Sequence, residues 1–84
     1  MYRVEPVGPD VEASIAALPP ALLTDFAELR AALEVSPSTV GTPLVPSNPT
    51  GMRVATIGPA GTGQVVYHVI ERERLVPIVQ VTFV

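Results

Sequence analysis

The stretch QVVYHVIERERLVPIVQVTFV, residues 64–84, decides the fold class of this chain. Apolar residues dominate its segments 64–70 and 75–84, and most of them are β-branched or aromatic, which favours β-strands. The intervening ERER at 71–74 has the length of a hairpin connection. We therefore predict two antiparallel strands joined by a charged turn.

The sequence before this stretch predicts a further strand, a long loop and two helices. MRVATI at 52–57 precedes the turn sequence GPAGTG and predicts a strand, whereas the proline-rich residues 35–50 predict a surface loop. A helix is predicted to begin at Pro20, because apolar residues recur there at i, i+4, i+7 and i+11: Leu22, Phe26, Leu29 and Leu33. A shorter helical pattern is predicted to stop before Pro19.

An N-terminal strand, YRVEPV at 2–7, completes the order of elements. The fold class that follows is α+β: an N-terminal strand, a helical hairpin and then a three-stranded antiparallel meander. The helices are expected to pack on one face of the sheet, because amphipathic helices and a sheet bury their apolar faces against each other. Residues 1–84 are expected to form a single domain.

Alternation along the strands predicts which side chains face the helices. We assign Val65, Tyr67, Val69, Val79, Val81 and Phe83 to the core. The hydroxyl of Tyr67 is expected to reach the sheet edge or a loop. The opposite, open face is then predicted to carry Gln64, Val66, His68, Ile70, Ile78, Gln80 and Thr82, together with Arg53, Ala55 and Ile57 from strand 52–57.

Composition excludes several classes of function. The 84 residues contain no cysteine and one histidine, so we predict no disulfide, no metal site and no cofactor. The net charge is −3, and it is uneven: residues 1–34 hold two Arg against six acidic residues, and residues 35–84 hold three Arg against two. A broad nucleic-acid-binding field is therefore absent, and any such site would be small and lie in the second half.

The most apolar window, LVPIVQVTFV at 75–84, has ten residues and is far shorter than the roughly 18 that span a bilayer. We expect no membrane segment and a cytoplasmic protein.

The order of elements and several motifs resemble the RelE/ParE superfamily of bacterial toxins from type II toxin–antitoxin systems. The matching stretches are YRV at 2–4, ALPPALL at 17–23, GMRVATIG at 51–58 and QVVYHVI at 64–70. The resemblance implies a toxin that is neutralised by a cognate antitoxin and that acts on ribosome-bound mRNA or on DNA gyrase. RelE-type cleavage of mRNA needs no metal, because basic residues on the open sheet face stabilise charge at the scissile phosphate.

We predict that catalysis would rest on Arg53, with Gln64 and His68 as polar helpers, since histidine is the only side chain here that titrates near neutrality. Arg53 falls where the family has a basic residue, whereas Ala55 and Gln64 replace basic residues that are usual there. Nucleic-acid contact is predicted for Arg53, Arg72 and Arg74. For each of these residues an ordinary structural role is the alternative: a half-exposed strand histidine, and a turn whose Arg and Glu compensate each other.

The open face also predicts a binding surface. Ile57, Val66, Ile70 and Ile78 would form an apolar patch there, and such patches on small domains mark protein interfaces. The expected occupant is the antitoxin or, in a homodimer, a second copy. The alternative for the patch is that residues 40–50 of the same chain cover it. The alternatives for the function of the chain are a non-catalytic interaction module or dimer and a ParE-like gyrase inhibitor.

Overall fold

The computed structural model describes residues 1–84 and contains five strands and three α-helices. The strands are Arg3–Pro6 (β1), Thr42–Pro43 (β2), Arg53–Ile57 (β3), Gly63–Tyr67 (β4) and Leu75–Phe83 (β5). The helices are Pro9–Ala16 (α1), Pro20–Val35 (α2) and Pro37–Val40 (α3), and 3₁₀ turns lie at Pro59–Gly61 and Glu71–Glu73. The predicted α+β fold class, with helices packed against the sheet, is confirmed.

The strands form one mixed sheet in the order β1-β5-β4-β3-β2. β1 pairs with β5 in parallel, and every other neighbouring pair is antiparallel. β5 is therefore flanked by the first strand of the chain on one side and by β4 on the other.

The stripe predicted on α2 forms the helical half of the core. Leu22, Phe26, Leu29 and Leu33 are all buried in one cluster with the inner face of the sheet. α2 begins at Pro20, where proline costs no hydrogen bond because the first helical N–H groups have no partner within the helix. Its start therefore confirms the sequence prediction.

A close contact joins α2 to the turn between β3 and β4. The Gly58 N–H donates a hydrogen bond of 3.0 Å to Oδ2 of Asp25. Gly58 has a φ of 81°, and a Cβ atom there would overlap the side chain of Leu22. Only glycine combines this backbone conformation with such close packing against the helix.

A β-bulge in β5 corrects part of the predicted face assignment. Tyr67 pairs with Ile78 whereas Val66 pairs with Gln80, so Val79 is an extra residue in β5. Because the bulge reverses the alternation, Ile78 and Val81 both face the core. The prediction that Ile78 lies on the open face is wrong, since only 1% of it is exposed. Phe83, predicted to be in the core, is 41% exposed near the end of the strand.

The prediction for strand 52–57 is reversed by the register of β3 against β4, which contains no bulge. Ala55 pairs with Val65 and Arg53 pairs with Tyr67, so these residues share the inner face. Ala55 is buried, and Ile57 is only 4% exposed within the core. The open face of β3 carries Val54 and Thr56 instead.

The segment predicted as a loop, residues 35–50, contains the end of α2, the one-turn helix α3 and the two-residue strand β2. β2 pairs only with Arg53 and Val54. The edge of β3 beyond Val54 therefore has no strand beside it. None of the helices has the length and hydropathy that crossing a membrane requires.

We expect Leu33→Ala to lower the free energy of unfolding by about 2–5 kcal/mol, because truncating a buried leucine leaves a cavity. Leu33 is fully buried, whereas Leu23 on the same helix is 44% exposed, so Leu23→Ala is the matched control. Urea unfolding followed by circular dichroism measures both. Equal losses in the two variants would contradict the placement of the core.

Candidate functional site

The open face of the sheet is uncharged across β2, β3, β4 and the end of β5. Two cross-strand rows cover it, and paired residues in a row share one face: Thr42, Val54, Val66 and Gln80 form one row, and Thr56, Gln64 and Thr82 form the other. These side chains offer hydroxyl and amide groups and two half-buried valines. No arginine or carboxylate belongs to either row.

The predicted catalytic residues do not come together. Gln64 is exposed on the open face, and His68 follows β4 on the same side, half-buried. Four residues of extended chain separate them by about 13 Å. Arg53 belongs to the inner face, on the opposite side of the sheet. The prediction that Arg53 lies on the open face is therefore wrong, and no cavity brings it to Gln64 or His68.

Arg53 takes part in a polar contact at the end of the core. Its Nη2 group donates to the carbonyl oxygen of Gly41, directly before β2. The hydroxyl of Tyr67, the strand neighbour of Arg53, accepts a bond of 3.0 Å from the Gly41 N–H and donates one of 3.2 Å to the Pro37 carbonyl oxygen. The expectation that the Tyr67 hydroxyl reaches a loop is thus correct, and the loop is the α3–β2 segment.

A polar cavity of about 240 Å³ borders Arg53. The Nε atom of Arg53 is buried and has no hydrogen-bond partner. The remaining lining residues come from α3, from the loop before β3 and from the connection between β4 and β5: Ser38, Pro49, Thr50, Gly51, Val69 and Glu71. Arg53 and Glu71 both line this cavity, and the Glu71 carboxylate disfavours a multiply charged anion there.

The turn at 71–74 contacts the N-terminus of the chain. The Tyr2 hydroxyl donates a bond of 2.7 Å to Oε2 of Glu71, and the guanidinium carbon of Arg74 lies 5.4 Å from the centre of the Tyr2 ring. The side chain of Arg72 makes no ion pair or hydrogen bond within the chain. Of the residues predicted to contact nucleic acid, Arg72 is thus the one fully available to a partner.

The hydrogen bond to Glu71 raises the pKa of Tyr2 above its ordinary value, because it stabilises the neutral phenol. Desolvation and the negative charge of Glu71 act in the same direction, and Arg74 opposes them. Nothing in the sequence around Tyr2 signals this contact, since Glu71 lies 69 residues away.

The predicted apolar patch is largely absent from the surface. Ile57 and Ile78 belong to the core, and Ile70 bridges Leu75 at the start of β5. Val66 remains on the open face, where its neighbour is Val54. Chemically, the open face is suited to hydrogen bonding and to a small apolar contact. No group of three or more histidine, cysteine, aspartate or glutamate side chains is placed to hold a metal ion.

The fold matches solved structures over almost the whole chain. A chain of the RelBE2 toxin–antitoxin complex from Mycobacterium tuberculosis superimposes with a TM-score of 0.76 at 25% identity, covering 99% of this chain and 91% of that one. This chain has the RelE fold. A mutant of the Escherichia coli toxin RelE, bound to a peptide of the antitoxin RelB, also gives a TM-score of 0.76, at 13% identity over 99% of this chain and 83% of that one.

The archaeal RelE–RelB complex from Pyrococcus horikoshii gives a TM-score of 0.69 at 20% identity, over 98% of this RelE-fold chain and 93% of that chain. No family profile matches the sequence, and no curated protein matches it either. The resemblance inferred from the sequence is confirmed at the level of the fold.

We expect Tyr67→Phe to lower the free energy of unfolding by about 1–3 kcal/mol, because it leaves the partly buried Gly41 N–H without its acceptor and removes the buried bond to the Pro37 carbonyl oxygen. Tyr2→Phe removes an exposed hydroxyl and should cost less. Urea unfolding compares the two variants. A loss in Tyr67→Phe no larger than that in Tyr2→Phe would show that the contact does not hold the α3–β2 segment.

We expect Glu71→Gln to lower the pKa of Tyr2 towards the ordinary tyrosine value. Because folding raises this pKa, the contact stabilises the protein fully below the ordinary tyrosine pKa, and this contribution is lost as the pH rises through the raised value. NMR titration of the Tyr2 ring signals measures the shift. A Tyr2 pKa that Glu71→Gln leaves unchanged would refute the assigned cause.

Proposed function

We propose that this chain is the toxin component of a toxin–antitoxin pair and that a RelB-like antitoxin binds and neutralises it. The observation that carries the proposal is the match of the complete fold to a chain of a toxin–antitoxin complex at 25% identity and a TM-score of 0.76. Two further matching structures are also RelE proteins in complex with RelB.

The open face favours inhibition by binding over RNA cleavage. Stabilising a transition-state phosphate requires preorganised donors or cations around it. The rows of threonine, glutamine and valine on this face carry no positive charge, and Arg53 lies on the other side of the sheet. Hydroxyl and amide groups beside Val54 and Val66 suit a protein surface better than a phosphate backbone.

Ribosome-dependent cleavage of mRNA is the second candidate. The observation that favours it is that Arg53 lines a cavity of about 240 Å³ and that its Nε has no hydrogen-bond partner. In that case Arg53 would contact phosphate, and Arg72 and Arg74 would add attraction from the neighbouring turn. Gln64 and His68 would remain polar helpers on the other face.

Inducible expression of the chain in bacteria, alone and together with the product of the adjacent reading frame, tests the proposal. We expect growth arrest from the chain alone, relief on co-expression and a complex that co-purifies. Growth without arrest, together with failure of the two proteins to co-purify, would overturn the proposed function.

Sequencing of mRNA ends in the arrested cells distinguishes the modes of action. Inhibition by binding predicts intact messages, whereas cuts at codons would establish cleavage, and intact messages with an SOS response would indicate gyrase. The variant to compare is Arg53→Lys, which keeps the charge but removes the Nε donor, with the exposed Arg72→Lys as its control. Cleavage lost in Arg53→Lys alone would assign the reaction to Arg53.

A further inference from the structure

The edge of the sheet formed by β1 is closed to other strands. The N–H group of Arg3 donates to the carbonyl oxygen of Arg74, directly before β5, and that of Val7 donates to Ile78 in β5. The backbone groups of Val4 and Pro6 therefore point outwards. The carbonyl oxygen of Val4 accepts a bond of 3.0 Å from Nη2 of Arg30, and Pro6 has no N–H. Proline and an arginine side chain are devices that protect edges from pairing with other chains.

A second edge exists because β1 stops before β5 does. The register ends with Pro6 opposite Ile78, and β5 continues to Phe83. The Val84 N–H donates to the Thr62 carbonyl oxygen, so by alternation the backbone N–H and C=O groups of Thr82 and Gln80 also point towards β4. Those of Val81 and Phe83 point away from β4. No strand pairs with this side of β5 beyond Ile78.

The backbone N–H and C=O groups of Val81 point away from β4, and no other part of the chain bonds them. Val81 is 4% exposed because its side chain packs in the core. Backbone N–H and C=O groups that face an edge without a neighbouring strand are available to pair with another strand. A groove of about 200 Å³ runs along this edge between β5 and the α1 residues Asp10, Val11 and Ser14.

The residues of this edge lack every protective device found on β1. Residues 79–84, VQVTFV, contain no charge and no proline, and they alternate apolar and polar side chains. Exposed Phe83 lies near the end of this edge, and exposed Val7 lies where β1 stops. A strand of this composition with an unpaired edge is a template for another strand.

We propose that a second copy of this chain pairs along this edge, β5 against β5 in antiparallel orientation, with a two-fold axis at Val81. In this register the two Val81 residues exchange both backbone hydrogen bonds, and Val79 lies opposite Phe83 of the second copy. Gln80 lies opposite Thr82 of the second copy on the open face, where amide and hydroxyl groups can bond. The two sheets become one continuous sheet.

Self-complementarity is the reason for choosing a second copy as the occupant. A two-fold axis at Val81 brings backbone donors opposite acceptors, apolar residues opposite apolar residues and polar residues opposite polar residues. It places no charged residue of β5 against another, since the strand has none. The dimer does not depend on the proposed function, because it uses an edge that neither the antitoxin nor a target was assigned to.

Sedimentation equilibrium over a range of concentrations tests the dimer with the variant Phe83→Pro. This variant removes the edge-facing N–H but no bond to β4, whereas the control Phe83→Ala removes the ring and keeps the N–H. We expect the wild-type chain to form dimers, and Phe83→Pro to raise the dimer dissociation constant at least about tenfold above that of Phe83→Ala. A wild-type chain that is monomeric at every concentration overturns the proposal.

Amide hydrogen exchange of the unmodified chain supplies a readout that does not rely on a variant. The Gln80 and Thr82 amides, bonded to β4, should be protected at all concentrations, and the Val81 and Phe83 amides should gain protection as dimer forms. A dimer in which Val81 and Phe83 exchange freely uses another surface and refutes the inference. Protection that arises only on adding a different partner chain assigns the edge to that partner and refutes it too.

Discussion

The buried hydroxyl of Tyr67 holds the α3–β2 segment in place, and the position of Arg53 depends on that segment. It lies in β4, at the centre of the sheet, and binds the two backbone groups that flank α3. Gly41 is required there, because a Cβ atom would lie 2.5 Å from the Val54 carbonyl oxygen and 2.7 Å from this hydroxyl. The contact positions β2 against β3 and presents the Gly41 carbonyl to Arg53. The Tyr67 hydroxyl thus helps to position β2 at the edge of the sheet and the Gly41 carbonyl oxygen to which Arg53 donates.

The sequence predicted the parts of this fold whose signals are local. The stripe on α2, its start at Pro20, the hairpin around residues 71–74 and the role of the Tyr67 hydroxyl each follow from spacing or from the chemistry of one side chain. The face assignments failed where the signal was not local. The bulge at Val79 depends on how β4 and β5 fit together, and without it Ile78 is placed on the wrong face.

Arg53 was misplaced for a related reason. A charged side chain in a strand suggests the solvent face, but at the end of a core an arginine can bury its stem and bond a backbone carbonyl. The carbonyl that it bonds belongs to Gly41, in a segment that the sequence identifies only as a proline-rich loop. Candidate residues could therefore be named from the sequence, but their arrangement in space could not be predicted from it. The likeness to solved RelE structures shows the fold, and the uncharged rows on β2, β3, β4 and the end of β5 are the observation on which the proposed inhibition by binding rests.

The position of β5 in the sheet has a consequence for the order of folding. β1 and β5 pair in parallel although Arg3 and Leu75 are 72 residues apart in the chain. A chain that emerges from the ribosome with β1 first cannot bury Val4 against Val76 until the last strand of the sheet is available. Pairings of such long range slow folding, because the loop must close before the contact stabilises it. The N-terminal strand is thus synthesised first but can join the sheet only after the last strand has been made.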